Sequence, residues 1–246
     1  MKADPFVQLR LLDLQAIDTG LDQLAHRRGH LPEMAEIARL DGLVASRRDD
    51  VVLAETAVSD LQRELDKAEA DIEQVRIRKA RDEERLASGA ITAPKQLQEL
   101  EHEVGTLARR QSDLEDAELE VMEQMEQAQK ALDTLLVERS EHEVARAGQV
   151  EARDALWIEI DAAVTQQTLE RSTVAGEIPA DLLALYEKIR AAEGGIGVGV
   201  VARGACSSCR LDLMQNEKAE YRAAPVDEVL RHECRRIIVR TAESGL

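Results

Sequence analysis

The sequence predicts a mainly α-helical protein: a long antiparallel coiled-coil hairpin followed by a small C-terminal β domain. Three observations support this fold class. Apolar residues recur with a seven-residue repeat, 33% of residues are charged while only four are aromatic, and the pattern changes after residue 194. This composition is typical of long helices and coiled coils, whereas compact domains usually take much of their buried area from aromatic side chains. We therefore predict a helical domain over residues 1–194 and a separate domain over residues 195–246.

The two arms of the hairpin are predicted from the repeat. Mostly apolar residues are spaced alternately four and three residues apart over residues 40–86 and again over residues 97–135. This spacing is the pattern of a coiled-coil seam. Between them, "SGAITAPK" (residues 88–95) contains glycine and proline, which break helices. Two helices of similar length joined by a short loop pack antiparallel, so we expect the tip at about residues 88–94. A parallel dimer through one helix is the alternative.

Shorter helices are predicted on either side of the arms. The first has an apolar face formed by Leu9, Leu14, Ile17, Leu21 and Leu24. It ends in "RRGHLPEM", where glycine and proline mark a turn. The second arm is expected to continue to about Leu169. "GEIPADLLALYEKIRAAEGG" (residues 176–195) reads as a last short helix, because Pro179 suits a helix start and the paired glycines suit its end.

The C-terminal segment has a different character. "IGVGVVARGACSSCRLDL" and "EVLRHECRRIIVRT" are β-branched, strand-like runs. Residues 195–246 contain eight Lys and Arg against seven Asp and Glu, which gives a net charge of +1. Because the whole chain carries −17, residues 1–194 carry −18. A domain of about 50 residues buries little apolar surface and usually needs a staple such as a metal ion.

Cysteine spacing supplies a candidate for that staple. Cys206 and Cys209 form a C-x-x-C knuckle, and Cys234 lies just before the second strand-like run. A structural zinc site needs four ligands, and histidine commonly provides one of them. His232 is the only histidine of this segment. We predict one structural Zn²⁺ ion held by Cys206, Cys209, His232 and Cys234.

The fourth ligand is the open part of this prediction. The H-x-C spacing of the second knuckle is tighter than C-x-x-C, so Glu233, Asp212 or a water molecule are alternatives to His232. A redox role for the C-x-x-C pair is not favoured, because no βαβ pattern surrounds it.

The sequence also resembles a bacterial family of coiled-coil proteins that end in a four-cysteine zinc ribbon, most of all its actinobacterial members. The resemblance covers nearly the whole chain and is carried by "GAITAPKQLQELEHEV", "IPADLLALYEKIR", "GACSSCRLDL" and "APVDEVLRHECRRIIVRTAESGL". The family's second knuckle reads C-x-x-C, whereas here it is one residue shorter and reads H-x-C. The resemblance therefore carries over to the three cysteines directly and to His232 by inference. Members are generally described as nucleic-acid-binding proteins. For some of them, the resemblance implies binding to an alternative sigma factor or to RNA, with a role in secretion or motility.

Two binding functions are predicted. The first is contact with RNA or DNA phosphates through arginines around the knuckles: Arg203, Arg210, Arg231, Arg235, Arg236 and Arg240. The acidic chain and the single aromatic of this segment, Tyr221, weigh against it, and solvated strand edges are the alternative interpretation. The second is a protein adaptor, with the hairpin as a rigid spacer and a transcription factor or secretion component as partner. A purely structural spacer is a third interpretation.

Other functional classes are not expected. Three thiolates make zinc a poor Lewis acid, and the chain has no nucleophile motif or glycine-rich phosphate loop, so we expect neither an enzyme nor a small-molecule substrate. No apolar run approaches the ~20 residues that cross a bilayer, and no secretory leader is visible. Three cysteines, two of them in C-x-x-C, suit a reducing compartment, so we expect a cytoplasmic protein with no membrane partner.

Overall fold

The computed structural model describes residues 1–244, and its mainly helical architecture confirms the predicted fold class. The helices are α1 (Pro5–Gly29), α2 (Pro32–Ala87), α3 (Pro94–Gly176), α4 (Ala180–Ala192) and α5 (Gln215–Ala223). The strands are β1 (Val198–Ala202), β2 (Ala205–Cys206), β3 (Leu230–Arg231) and β4 (Ile237–Val239). The second arm is longer than predicted, because α3 continues past Leu169 to Gly176.

The chain divides into two compact units. One consists of residues 35–150, called the hairpin below, and the other joins residues 1–34 to residues 151 onward. This division follows packing in space, whereas the predicted boundary at residue 194 follows composition along the chain. The boundary at residue 194 stays a prediction, and the name ribbon is used below for residues 195–244.

The hairpin consists of the two heptad arms. Every predicted seam position of the first arm is buried or half-buried, and α2 ends at Ala87 while α3 begins at Pro94, as the predicted tip requires. On the second arm Leu107 and Leu132 are the most buried seam residues, whereas Leu97, close to the loop, is 37% exposed. The apolar repeat therefore determines both which faces meet and where the chain turns.

Ion pairs between the arms fit an antiparallel register. The pairs that cross from α2 to α3 are Asp41 with Arg146, Arg47 with Glu138, and Arg78 with Glu103. Partner numbers fall on one arm as they rise on the other. Because the paired side chains are at least one-third exposed, each pair contributes only a few tenths of a kcal/mol to about 1 kcal/mol.

In the other unit, α1, α4 and the sheet share one apolar core. Leu11 and Leu14 of α1 are fully buried and cluster with Tyr186 of α4 and with Val198 and Ile237 of the sheet. Burying such side chains contributes about 1.5–3 kcal/mol each. The ribbon strands are thus packed onto α4, which directly precedes them, and onto α1, which is distant in sequence.

One residue of the predicted α1 face is placed wrongly. Leu9 is 39% exposed, whereas Leu11, which was left out of that face, is fully buried. Residues 11, 14 and 18 follow one another at helical spacing, and Asp18 is buried along with the two leucines. A search for apolar residues alone cannot find a buried face that includes an aspartate.

That aspartate is the centre of a buried polar network. Asp18 accepts hydrogen bonds from Arg171 (2.6 Å) and from the Tyr186 hydroxyl (2.7 Å). Gln15, one turn earlier, accepts the Gly197 amide (2.7 Å) just before β1. Because a buried charge is tolerated only when it is paired, this network specifies how α1 meets α3, α4 and the start of the ribbon.

The ribbon sheet has four strands in the order β2-β1-β4-β3. Strand β1 pairs antiparallel with β2 and parallel with β4, and β3 pairs antiparallel with β4. The two strand-like runs of the sequence are therefore neighbours in one sheet, with α5 inserted between them in the chain. This topology places the turn after β2 next to the turn after β3, and these two turns carry the candidate metal ligands.

Candidate metal centre

The first knuckle is the tight turn that follows β2. The Arg210 amide donates to the Cys206 carbonyl (2.8 Å), and the Cys206 amide donates to the Leu211 carbonyl (2.9 Å). Arg210 adopts the left-handed backbone conformation, with φ of 64°. The chain thus reverses within four residues, so both cysteine side chains belong to the same turn.

This turn is anchored on β1 by serine hydroxyls. Ser207 Oγ accepts the Val200 amide (2.9 Å), and Ser208 Oγ donates to the Val198 carbonyl (3.2 Å). A Cβ on Gly199 would lie 2.0 Å from Ser208 Oγ. A glycine is therefore required at this point of β1, because any side chain would push the first knuckle away from the sheet.

The second knuckle repeats this bonding pattern around one fewer residue. The Arg235 amide donates to the His232 carbonyl (2.8 Å), and the His232 amide donates to the Arg236 carbonyl (3.1 Å). Arg235 is again left-handed, with φ of 67°. The second knuckle therefore places His232 and Cys234 on one tight turn, as the first places Cys206 and Cys209.

The two knuckles bring the four predicted ligands together. One ligand atom from each of Cys206, Cys209, His232 and Cys234 lies within 4.8 Å of all the others. Cys209 Sγ lies 3.6 Å from His232 Nδ1, which matches the edge of about 3.6 Å that zinc bond lengths give for a tetrahedron. The four side chains are close enough to hold a metal ion. The alternative ligands of the sequence analysis, Asp212 and Glu233, are exposed and lie outside this group.

His232 is held in one orientation inside the ribbon. The residue is 5% exposed, and its Nδ1 faces the cluster, 3.3 Å from the Cys234 amide nitrogen. Its Nε2 faces Glu217 Oε1 at 3.8 Å. In the tautomer with the proton on Nε2, toward Glu217, the single lone pair of Nδ1 is the one that would bind a metal.

The two thiols of the first knuckle differ in their acidity. Burial raises the pKa of the Cys206 thiol to about 11. Burial acts in the same direction on Cys209, but hydrogen bonds from the Leu211 amide and from the other two thiols outweigh it and lower the Cys209 pKa. A bound divalent cation deprotonates coordinating thiols, so a thiophilic metal is the group that suits this donor set.

Three of the six arginines predicted to contact nucleic acid have partners within the ribbon and its neighbours. Arg231 donates to the Arg235 carbonyl (2.9 Å), and Arg236 donates to the carbonyls of Ile196 and Glu193 (3.0 and 2.7 Å). Arg240 donates to carbonyls at the end of α5, including that of Ala224 (2.8 Å). These guanidinium groups tie turns and helix ends together.

The other three arginines, Arg203, Arg210 and Arg235, are exposed, and their side chains have no partner among the described residues. They are also the three non-glycine residues with positive φ among residues 1–244. These two groups of arginines cannot be told apart from the sequence, because their difference depends on which carbonyls the fold brings near each guanidinium.

Sequence reasoning missed Glu217, the carboxylate beside His232. Its segment, "QNEKAEYRA", forms α5, a helix that was not predicted. The sequence carries no capping-box signal for it, because Met214 at the N-cap has no side-chain oxygen to accept the helix amides. No helix among residues 1–244 is long and apolar enough to cross a bilayer.

Comparison with known proteins agrees with this architecture. The chain is 37% identical over 243 residues to an uncharacterized protein of Mycobacterium tuberculosis strain H37Rv, covering 98% of each chain. It is similar to a solved structure from Mycobacterium smegmatis, with a TM-score of 0.87 and 34% identity over 98% of this chain and 100% of the other. CT398 from Chlamydia trachomatis has the same fold, with a TM-score of 0.69 and 18% identity over 96% and 98% of the two chains. Residues 14–194 match the CT398-like coiled coil hairpin domain, and the chain belongs to that family.

Proposed function

We propose that this protein is a non-enzymatic adaptor whose ribbon holds one structural zinc ion and presents arginines to the phosphates of RNA or DNA. The hairpin serves as a rigid spacer in this proposal. The observation that carries it is the presence of three exposed, partnerless arginines on the turns of the ribbon. We expect the protein to act in the cytoplasm, where metal-binding thiols stay reduced.

Zinc is the metal that this ligand set favours. Three thiolates and one imidazole form a four-ligand shell of the kind found in structural zinc sites, whereas catalytic sites keep one position open. Such an ion supplies stability rather than chemistry, since it joins the turn after β2 to the turn after β3. Backbone amides, including those of Leu211 and Cys234, and the Glu217 carboxylate lie beside the cluster, which suits a site that holds an ion in place.

The backbone of the three free arginines supports a role for their side chains. A non-glycine residue in the left-handed region costs about 1 kcal/mol or more, and such residues cluster at functional sites. Arg203, Arg210 and Arg235 have φ of 53°, 64° and 67°. Glycine would relieve this strain at each position, and the exposed guanidinium that arginine presents at each turn instead favours a binding role.

The charge distribution limits how such binding works. The chain carries −17 overall, while residues 195–246 carry +1. Long-range attraction to nucleic acid is therefore weak or repulsive, and binding depends on short-range contacts with phosphate. We expect a modest affinity that salt weakens steeply, because each neutralised phosphate releases counterions.

A protein-binding scaffold without nucleic-acid binding is the second candidate. It is favoured because the other three arginines already donate hydrogen bonds to backbone carbonyls of this chain. It is also favoured by apolar side chains that the ribbon leaves exposed: Leu211 at 62%, Met214 at 59% and Val226 at 73%. In this case the partner is a protein such as a transcription factor or a secretion component.

One experiment separates the two candidates. Full-length protein is titrated into labelled single-stranded RNA and double-stranded DNA at two salt concentrations. The test variant is Arg203→Gly, Arg210→Gly, Arg235→Gly, in which glycine removes three charges and relieves the backbone. The control variant, Arg63→Gln, Arg76→Gln, Arg81→Gln, removes three charges from side chains of the hairpin that are at least 67% exposed.

If the ribbon binds phosphate, the glycine variant loses about tenfold or more in affinity, and its salt slope becomes shallower by about two to three. The control variant retains the wild-type affinity. Absence of binding to either nucleic acid, or equal affinity of all three proteins, would overturn the nucleic-acid role and leave the scaffold.

A further inference from the structure

Glu217 is a buried carboxylate beside the candidate metal centre. The residue is 8% exposed and lies in the first turn of α5. Its Oε2 accepts the Met214 amide (2.8 Å), which caps the helix. Its Oε1 faces His232 Nε2 at 3.8 Å. Since a buried carboxylate is costly unless it is paired, the second oxygen calls for a role beyond helix capping.

The orientation of the imidazole supplies that role. His232 Nδ1 faces the three thiols, with Cys209 Sγ at 3.6 Å. A histidine that binds a metal through one ring nitrogen usually donates the N–H of the other nitrogen to a carboxylate, carbonyl or water, which fixes the ring and raises its basicity. Glu217 Oε1 lies on that side of the ring, 3.8 Å from Nε2, and a small shift of either side chain brings it within hydrogen-bond distance.

We propose that Glu217 is a positioning residue for the metal centre, which orients His232 through its Nε2–H so that Nδ1 binds the ion. This inference rests on the proposed zinc site. It also accounts for charge, because Zn²⁺ with three thiolates and a neutral imidazole has a net charge of −1, one less negative than with four thiolates. When the Glu217 carboxylate is included, the total charge of the site is −2, the same as that of a zinc ion with four thiolates.

The same residue links the ion to α5. One carboxylate oxygen caps the first turn of α5, and the other faces the ligand on the second knuckle. Tyr221, one turn later, donates from its hydroxyl to the Arg231 carbonyl (3.1 Å) at the end of β3. Binding of the metal at His232 therefore favours the docked position of α5 as well as the two knuckles.

A double-mutant cycle on full-length protein tests this role. The four proteins are wild type, Glu217→Gln, His232→Cys and the double variant, and each is titrated with Zn²⁺ in competition with a chromophoric chelator. Glutamine keeps the size of the side chain and one oxygen for capping α5, but it loses the charge that favours the imidazole. A cysteine at position 232 has no second ring nitrogen to be oriented.

We expect Glu217→Gln to weaken zinc binding by about 10- to 100-fold in the wild-type background. In the His232→Cys background the same change costs no more than about twofold. A carboxylate that only caps α5 would give equal losses in both backgrounds, and that result would overturn the inference.

A second measurement does not depend on the cysteine variant. Nitrogen-15 NMR of the zinc-loaded wild-type protein identifies which ring nitrogen of His232 carries the proton. Protonated Nε2 with metal-bound Nδ1 supports the proposal, and metal-bound Nε2 would overturn it. Failure of the proposed zinc site itself is a separate outcome, because wild-type protein would then bind no zinc in any of these titrations.

Discussion

The hairpin and the ribbon obtain their order in opposite ways. The hairpin spreads its stabilisation over a seam of repeated, mostly half-buried positions, of which Val51 and Leu65 are among the few that are fully covered. The ribbon concentrates its order in one ligand cluster and a small apolar core that includes Cys206 itself. A repeat tolerates the loss of any one of its members, whereas a cluster does not. The four predictions below are arranged by the size of the effect that this difference implies.

The largest effect is expected at the cluster. Cys206→Ser removes a proposed ligand that is 1% exposed, so we expect zinc affinity to fall by at least about 100-fold and the purified protein to contain far less than one zinc per chain. The far-UV helical signal stays largely intact, because most helical residues belong to α1–α4. Elemental analysis and circular dichroism measure the two effects.

Glu233→Gln is the matched control for this variant, since Glu233 is exposed and lies between the two residues of the second knuckle. It retains full metal content. Equal zinc content in the Cys206→Ser and Glu233→Gln proteins would show that the cluster does not hold the ion.

The next effect compares a leucine-to-alanine change in the core on which the ribbon strands pack with one in the hairpin. Leu182 is 1% exposed in the core that α1 and α4 share with the sheet, so Leu182→Ala lowers the free energy of unfolding by about 3 kcal/mol. Leu61 is a half-buried seam residue of the hairpin, and Leu61→Ala costs about 1 kcal/mol. Urea denaturation measures the free energy of unfolding of both variants, and equal losses would contradict the proposed difference between this core and the hairpin seam.

Alkaline pH provides a smaller perturbation of the ribbon-containing unit. Burial and the neighbouring Asp18 raise the pKa of Tyr186, and burial with nearby Glu217 and Glu220 raises the pKa of Tyr221 to about 12. A group whose pKa is raised by folding stabilises the fold fully below its unfolded pKa, near 10 for tyrosine, and loses this contribution as pH rises. The free energy of unfolding should therefore fall between about pH 10 and pH 12.

The hairpin contributes no tyrosine to this titration, since the chain's two tyrosines both lie outside residues 35–150. Ultraviolet absorbance of tyrosinate follows the ionisation, and urea denaturation at successive pH values follows stability. Tyrosine ionisation near pH 10 in the folded protein would refute the buried positions of both rings.

The smallest effect is expected at ion pairs between the arms. Arg47 and Glu138 lie 3.1 Å apart with side chains 34% and 43% exposed. A double-mutant cycle with Arg47→Ala and Glu138→Ala should give a coupling energy of about 0.5 kcal/mol, which falls at high salt. A coupling above about 2 kcal/mol would mean that single contacts, rather than the repeat, hold the arms together.

The hairpin was predictable from the sequence because its determinants are local and periodic. Steps of three and four located the seam, and a glycine and a proline located the tip between Ala87 and Pro94. Each heptad repeats the same information, so an interruption by a polar residue such as Lys79 did not obscure it. Leu9 was misassigned because the buried face of α1 includes Asp18, which is stabilised by partners distant in sequence.

The ribbon was predictable only in part, because its determinants are distant pairs. The cysteine spacing and a single histidine were enough to predict which four side chains meet. The helix α5, the carboxylate of Glu217 and the carbonyl partners of Arg236 and Arg240 depend on the sheet that brings residues 193–240 together. Such contacts have no periodic signal in one sequence.

The most direct test of the central claim is the metal content and ligand set of the wild-type protein. Protein purified without chelators is analysed for metals, and zinc X-ray absorption then gives the atoms bound to the ion. The account predicts one zinc per chain, with three sulfur ligands at about 2.3 Å and one nitrogen at about 2.0–2.1 Å. A chain without bound zinc, or an ion with an oxygen in place of the nitrogen, would contradict the assignment of Cys206, Cys209, His232 and Cys234 as its four ligands.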